Sequence, residues 1–329
     1  MNRRHGMSVL AASLLAGPRL APAQPAQPAT PQRIGVLSYG SPPGGVNPDP
    51  AIGLREGLQA LGWAEGRNLI VERRFADGRP ERLAALAADL LRLKVALIVA
   101  GGPASIEAAR AATATIAIVA IGGIDPVGHG WAQSLARPGG NLTGVTVGFP
   151  EMGAKRLEIL KEARPALARV AVLRAPAETP KGDLGLRAGA QALGLDLLLL
   201  DVSEASDIEP AFERAGQARA DGLYAIPTNL IVTQRHLVAE LARRHRLPSI
   251  SEFPLMAQAG LMLSYGADLD ALGRRAANHI DKILKGARPG ELPIEMPSQF
   301  ELVINLQTAR AIGITLPPAT LRRADRVIE

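Results

Sequence analysis

The chain repeats itself, and a duplicated strand–helix pattern leaves few folds open. "RIGVL" (Arg33–Leu37) returns as "RVAVL" (Arg169–Leu173). Each is a short β-branched apolar run of the kind that forms a strand buried on both faces. A Pro/Gly-containing loop follows each, and then a helical segment. These segments, "GLREGLQALG" (Gly53–Gly62) and "GLRAGAQALG" (Gly185–Gly194), are identical at eight of ten positions. Both end in glycine, which closes a helix by taking the left-handed conformation.

The succession continues in step. "NLIVERRF" and "LDLLLLDV" read as second strands, "PERLAALAADLLRLK" and "IEPAFERAGQARA" as second helices. "VALIVAGG" and "DGLYAIPTN" are third strands, "SIEAARAAT" and "VTQRHLVAELARRH" third helices, "IAIVAIGG" and "LPSISEF" fourth strands. "GNLTGVT" and "GLMLSYG" close the two copies at equivalent ends. Strands alternating with helices imply right-handed crossovers and a parallel sheet in each copy. The expected architecture is α/β, with two Rossmann-like lobes.

Past Gly266, "DLDALGRRAANHIDKILKG" is a helix with Leu269, Leu272, Ala276 and Ile280 on one face. A Pro-rich connection and a final strand-into-helix, "FELVINLQTARAIGI", follow. The N-terminal lobe is therefore expected over 33–144 plus about 267–290, and the C-terminal lobe over 145–266 plus about 291–329. Passages near 144, 266 and 290 would form a bending hinge.

The start of the chain reads as a processing segment. A basic beginning (Arg3, Arg4), an apolar stretch from Met7 to Ala16 and Ala21-Pro22-Ala23 match a secretory signal peptide over 1–23, cut after Ala23. Residues 24–32, rich in Pro, Ala and Gln, read as a flexible leader. The chain has no cysteine, which removes lipidation at a lipobox, disulfides, thiol nucleophiles and thiolate metal sites. A formal charge of +6 is scattered among acids without a stripe or interleaved aromatics, so no nucleic-acid partner is expected. With 47% apolar but only 3% aromatic residues, the core must be mostly aliphatic.

In open parallel sheets, ligands bind beyond the carboxyl ends of the strands. The candidates there are few. Ser38 opens the loop after the first strand, and Gly102 and Ser105 stand in "GGPAS", where free N–H groups of a helix start can hold an anion. Ser105 reads equally as a plain N-cap. Asp125 either pairs with a ligand amine or bonds the amides of its own turn. In the second copy, Thr228, Asn229 and Glu252 offer hydroxyl, amide and carboxylate groups at strand ends. Arg174, directly after "RVAVL", either clasps an anionic ligand or is an exposed loop arginine. Tyr265 supplies an aromatic wall or packs in the hinge. The chain has no G-x-S-x-G elbow, no H-E-x-x-H and no Walker motif. No catalytic residue, metal or cofactor is expected.

The chain resembles the ABC transporter substrate-binding proteins of the tryptophan/tyrosine type. The resemblance is carried by "LARPGGNLTG" (Leu135–Gly144), "KRLEILKEARP" (Lys155–Pro165), "IDKILKGARP" (Ile280–Pro289) and "FELVINLQTA" (Phe300–Ala309), among others along nearly the whole chain after the leader. It implies a type I periplasmic-binding fold that captures a small solute between two lobes. The solute, an amino acid or related small organic molecule, would be delivered to a membrane permease by a periplasmic monomer without chemistry of its own. It also implies the ligand site at Ser38, Gly102, Ser105, Asp125 and Tyr265. The sequence departs from the family at Arg174-Ala175-Pro176, where an aromatic residue and Asn-Pro are usual. A periplasmic sensing module or an exported α/β enzyme are the other readings of such a chain.

Overall fold

The computed structural model describes residues 30–42, 52–123, 125–148, 151–176 and 185–329. The signal peptide and most of the leader lie outside the described residues. The first lobe runs β1 (Gln32–Ser38), α1 (Ile52–Ala60), β2 (Leu69–Phe75), α2 (Leu83–Arg92), β3 (Leu97–Gly101), α3 (Gly102–Ala112), β4 (Ala117–Ile121) and β5 (Leu142–Val145). Its strands lie in the order β2-β1-β3-β4-β5, all parallel. The alternation of β1 explains why both faces need cover: Ile34 joins one apolar cluster and Leu37 another.

The second lobe runs α4 (Met152–Ala163), β6 (Arg169–Arg174), α5 (Leu186–Leu193), β7 (Asp196–Asp201), α6 (Ile208–Gln217), β8 (Gly222–Ala225), α7 (Asn229–Thr233), α8 (Arg235–Arg244), β9 (Ser249–Ser251), α9 (Pro254–Gln258) and β10 (Leu263–Ala267). Here β7-β6-β8-β9-β10 reproduces the order of the first sheet, as the repeated sequence requires. Val170 and Val172 of β6 enter one cluster and Ala171 and Leu173 the other.

After β10 the chain forms α10 (Leu269–Leu284), whose Leu272, Ala276, Ala277 and Ile280 pack with Ile34, Leu97 and Val119 of the first lobe. Trp63 Nε1 donates to Asp281 on this helix at 2.9 Å. First-lobe contacts persist to Glu295, which exchanges main-chain hydrogen bonds with Gly144 and Thr146 at 2.9 Å. The chain then returns as β11 (Phe300–Asn305), α11 (Leu306–Ala311), α12 (Pro318–Arg322) and β12 (Arg326–Ile328).

Two sequence expectations change. The second sheet is not wholly parallel, because β11 runs antiparallel to β10. A strand leaving for the other lobe and a strand returning from it must run in opposite directions. The expected single helix "VTQRHLVAELARRH" is two, α7 and α8, meeting at Gln234, whose backbone (φ −92°, ψ 17°) leaves the helical range. No helix among the described residues is long and apolar enough to cross a membrane.

Candidate functional site

Strand order decides where the site lies. In the first sheet β1 stands between β2 and β3, so the connections leaving β1 and β3 turn to opposite faces and open a crevice at Ser38 and Gly101. In the second sheet β6 stands between β7 and β8, which places the loop after Ala225 in the equivalent position. These strand ends meet in a cavity of about 910 Å³ between the lobes. Ser38, Gly101 and Gly102 form one wall; Pro227, Thr228, Asn229 and Glu252 form the other. The lobes come close here, since a Cβ on Gly102 would stand 3.6 Å from Asn229 Nδ2.

Five of the nine candidate residues therefore share one cavity: Ser38, Gly102, Thr228, Asn229 and Glu252. Thr228 also has a local task, its hydroxyl capping α7 by accepting from the Ile231 N–H at 3.5 Å.

The other four lie elsewhere. Ser105 is fully buried within α3, its Oγ without a hydrogen-bond partner among the described residues. It is not the N-cap either: Pro103 suits the first turn, and the cap position falls on Gly101. Asp125 bonds its own turn, Oδ1 accepting from the Gly128 N–H at 2.8 Å. Arg174 pairs with Asp201, the residue beside it in the β6–β7 register, through Nε–Oδ1 at 2.6 Å. Tyr265 packs in the second lobe with its ring 5.9 Å from that of Phe300.

Among the described cations of the cavity wall the buried one is Arg235, which could not be singled out from sequence while it lay inside one continuous helix. The break at Gln234 puts it at the first residue of α8, on the cavity wall and only 4% exposed. Its Nη1 donates to the Val232 carbonyl at 3.2 Å. Burial pulls its pKa below the usual guanidinium value, because desolvation disfavours the charged form.

Glu252 is the corresponding anion, 3% exposed. Its Oε1 accepts from Arg156 Nη1 at 3.0 Å and from the Tyr224 hydroxyl at 3.2 Å. Arg156 Nη1 also donates to the Tyr224 oxygen at 3.2 Å, and Arg156 Nε donates to the Tyr265 carbonyl at 2.8 Å. Burial pushes the Tyr224 pKa up, the nearby Arg156 opposing and Glu252 adding to the shift. For Arg156, burial acts to lower the pKa, but Glu252 and Tyr224 beside it hold it above the usual value. Among the described residues of the wall, Arg235 and Glu252 are the charged side chains that are buried. No group of side chains among the described residues is arranged to hold a metal ion.

Comparison with known proteins gives a consistent result. A family model described as ABC transporter substrate binding protein matches residues 49–328. A tyrosine-binding protein of Clostridioides difficile is 26% identical over 264 residues, covering 80% of this chain and 76% of that protein. Among solved structures, a conserved domain protein of Vibrio cholerae is 26% identical with a TM-score of 0.82, covering 90% of this chain and 99% of that one. An ABC domain from Streptococcus pneumonia in complex with L-Trp has a TM-score of 0.80 at 23% identity, covering 91% of this chain and all (100%) of that chain. The two-sheet architecture is that of the type I periplasmic binding proteins.

Proposed function

The chain belongs to the ABC transporter substrate-binding protein family, and from that premise we propose that it captures a free amino acid between its lobes for delivery to a membrane permease. The observation that carries this reading is the presence of a buried cation, Arg235, and a buried anion, Glu252, on the described wall of one inter-lobe cavity. A zwitterion complements both, its carboxylate at Arg235 and its ammonium at Glu252, whereas a solute lacking one of these charges forgoes one charge-assisted contact. The start of α3 at Gly102 adds N–H groups from the first lobe. The tyrosine- and tryptophan-binding relatives support an aromatic side chain, for which Phe253 and Phe75 offer apolar surface on the wall.

A ligand touching both lobes stabilises the closed form, and closure about the three chain passages is what a permease would read. In this reading the protein acts as a monomer, exported by its N-terminal signal and released into the periplasm.

Thermal-shift and calorimetric titration with L-tryptophan, L-tyrosine, tryptamine and indole-3-propionate test it. The two amino acids raise the melting temperature and the two analogues, each lacking one charge, bind at least about tenfold more weakly, since a charge-assisted hydrogen bond contributes roughly 1.5–3 kcal/mol. Equal binding of all four, or no stabilisation by any amino acid, would overturn the reading.

A further inference from the structure

Arg156 has an environment that a packing role does not account for. It is the largest fully buried side chain among the described residues, 1% exposed, on the first helix after the chain enters the second lobe. Two of its bonds lead to functional places. Nη1 reaches Glu252 on the cavity wall, and Nε reaches the carbonyl of Tyr265, near the end of β10 where the chain leaves again. The Tyr265 ring lies against Phe300, the first residue of β11 after the chain returns. Gly266 leaves no room beside the Glu252 main chain, whose carbonyl a Cβ there would overlap.

The ion pair is also one-sided. Arg156 and Tyr224 both address Oε1 of Glu252, and no described residue donates to Oε2. A buried ion pair made for stability alone is weakly rewarded, because desolvation of both charges offsets their attraction. Its worth increases when it fixes a group that acts on something else.

We propose that Arg156 is a positioning residue: through Oε1 it fixes the Glu252 carboxylate against the chain passages and leaves Oε2 to receive the ammonium group of the ligand. The proposal rests on the amino-acid reading of the cavity. Without Arg156 the carboxylate is no longer held through Oε1, and the site loses its preference for an amine-bearing ligand.

The test uses the affinity ratio between L-tryptophan and indole-3-propionate, measured by calorimetry on wild type, Arg156→Lys, Arg156→Met, Glu252→Gln and the Arg156→Lys/Glu252→Gln double variant. Lysine keeps the charge but cannot span Glu252, Tyr224 and the Tyr265 carbonyl together. The ratio falls by about tenfold or more in Glu252→Gln and by a similar factor in Arg156→Lys, and the double variant shows no further loss, as residues acting through one contact are non-additive. Denaturant unfolding of each variant separates this from stability, since a merely structural arginine lowers the unfolding midpoint and leaves the ratio unchanged. Should Arg156→Met fail to fold, Arg156→Lys and Tyr224→Phe carry the comparison. An unchanged ratio in Arg156→Lys overturns the proposal while leaving the amino-acid reading intact. Failure of wild type to prefer L-tryptophan overturns both.

Discussion

Substituting Gly102 separates backbone strain from obstruction of the cavity. The residue has φ of +77°, and a Cβ placed on it meets Asn229 of the opposite lobe at 3.6 Å and 3.8 Å, ordinary contact distances. Alanine therefore adds strain without overlap, costing about 1–2 kcal/mol for a left-handed non-glycine residue. Leucine carries the same strain, but its further atoms start from a Cβ already in contact across the cavity and must hold the lobes apart. A ligand bound at micromolar affinity has about −8 kcal/mol of binding free energy, and one left with roughly half its contacts falls toward millimolar, about −4 kcal/mol. The expected pattern is equal destabilisation of Gly102→Ala and Gly102→Leu in urea unfolding. In titration with L-tryptophan, by contrast, affinity should fall by two to three orders of magnitude, roughly, in the leucine variant alone. Wild-type affinity in Gly102→Leu, or an equal loss in both variants, would refute the placement of Gly102 on the closing surface.

Other substitutions probe the remaining assignments. Arg174→Ala removes a partly exposed pair with Asp201, so stability falls by less than about 1 kcal/mol and the affinity for L-tryptophan measured by calorimetry does not change. Asp125→Ala deletes the bond to the Gly128 N–H and lowers the unfolding free energy by about 1 kcal/mol, again with unaltered affinity; a tenfold loss would place the carboxylate at the ligand after all. Because burial raises the pKa of Tyr224 in the folded state, its contribution to stability is complete below the unfolded tyrosine pKa of about 10 and is lost as pH rises above it. The absorbance difference at 295 nm between wild type and Tyr224→Phe accordingly shows no ionisation until the protein unfolds in alkali. At Gly144, φ is +140° and a Cβ would overlap the Ala120 carbonyl in the neighbouring strand. Gly144→Ala is therefore destabilised by about 3 kcal/mol or more, read as a lower urea midpoint.

The sequence determined the repeated α/β plan, because alternation, helical spacing and glycine stops are local properties that each copy carries in full. The strand order of the first sheet recurs in the second just where "RIGVL" recurs as "RVAVL". Part of the cavity wall was legible for the same reason: Ser38, Gly102, Thr228, Asn229 and Glu252 stand at strand ends whatever the neighbouring helices do. Side-chain direction is a different matter. Arg174 stands at a strand end too, but the β6–β7 register sets it beside Asp201, a partner distant in sequence that no local pattern announces. Arg235 was hidden in a helical run until the break at Gln234 turned it to the cavity. Arg156 looked like one cation on an amphipathic helix, and only the packing of α4 under β8, β9 and β10 made it the buried partner of Glu252. Local sequence sets which residues lie at the mouth of a sheet; tertiary packing sets which of them face the ligand and which charges lose their water.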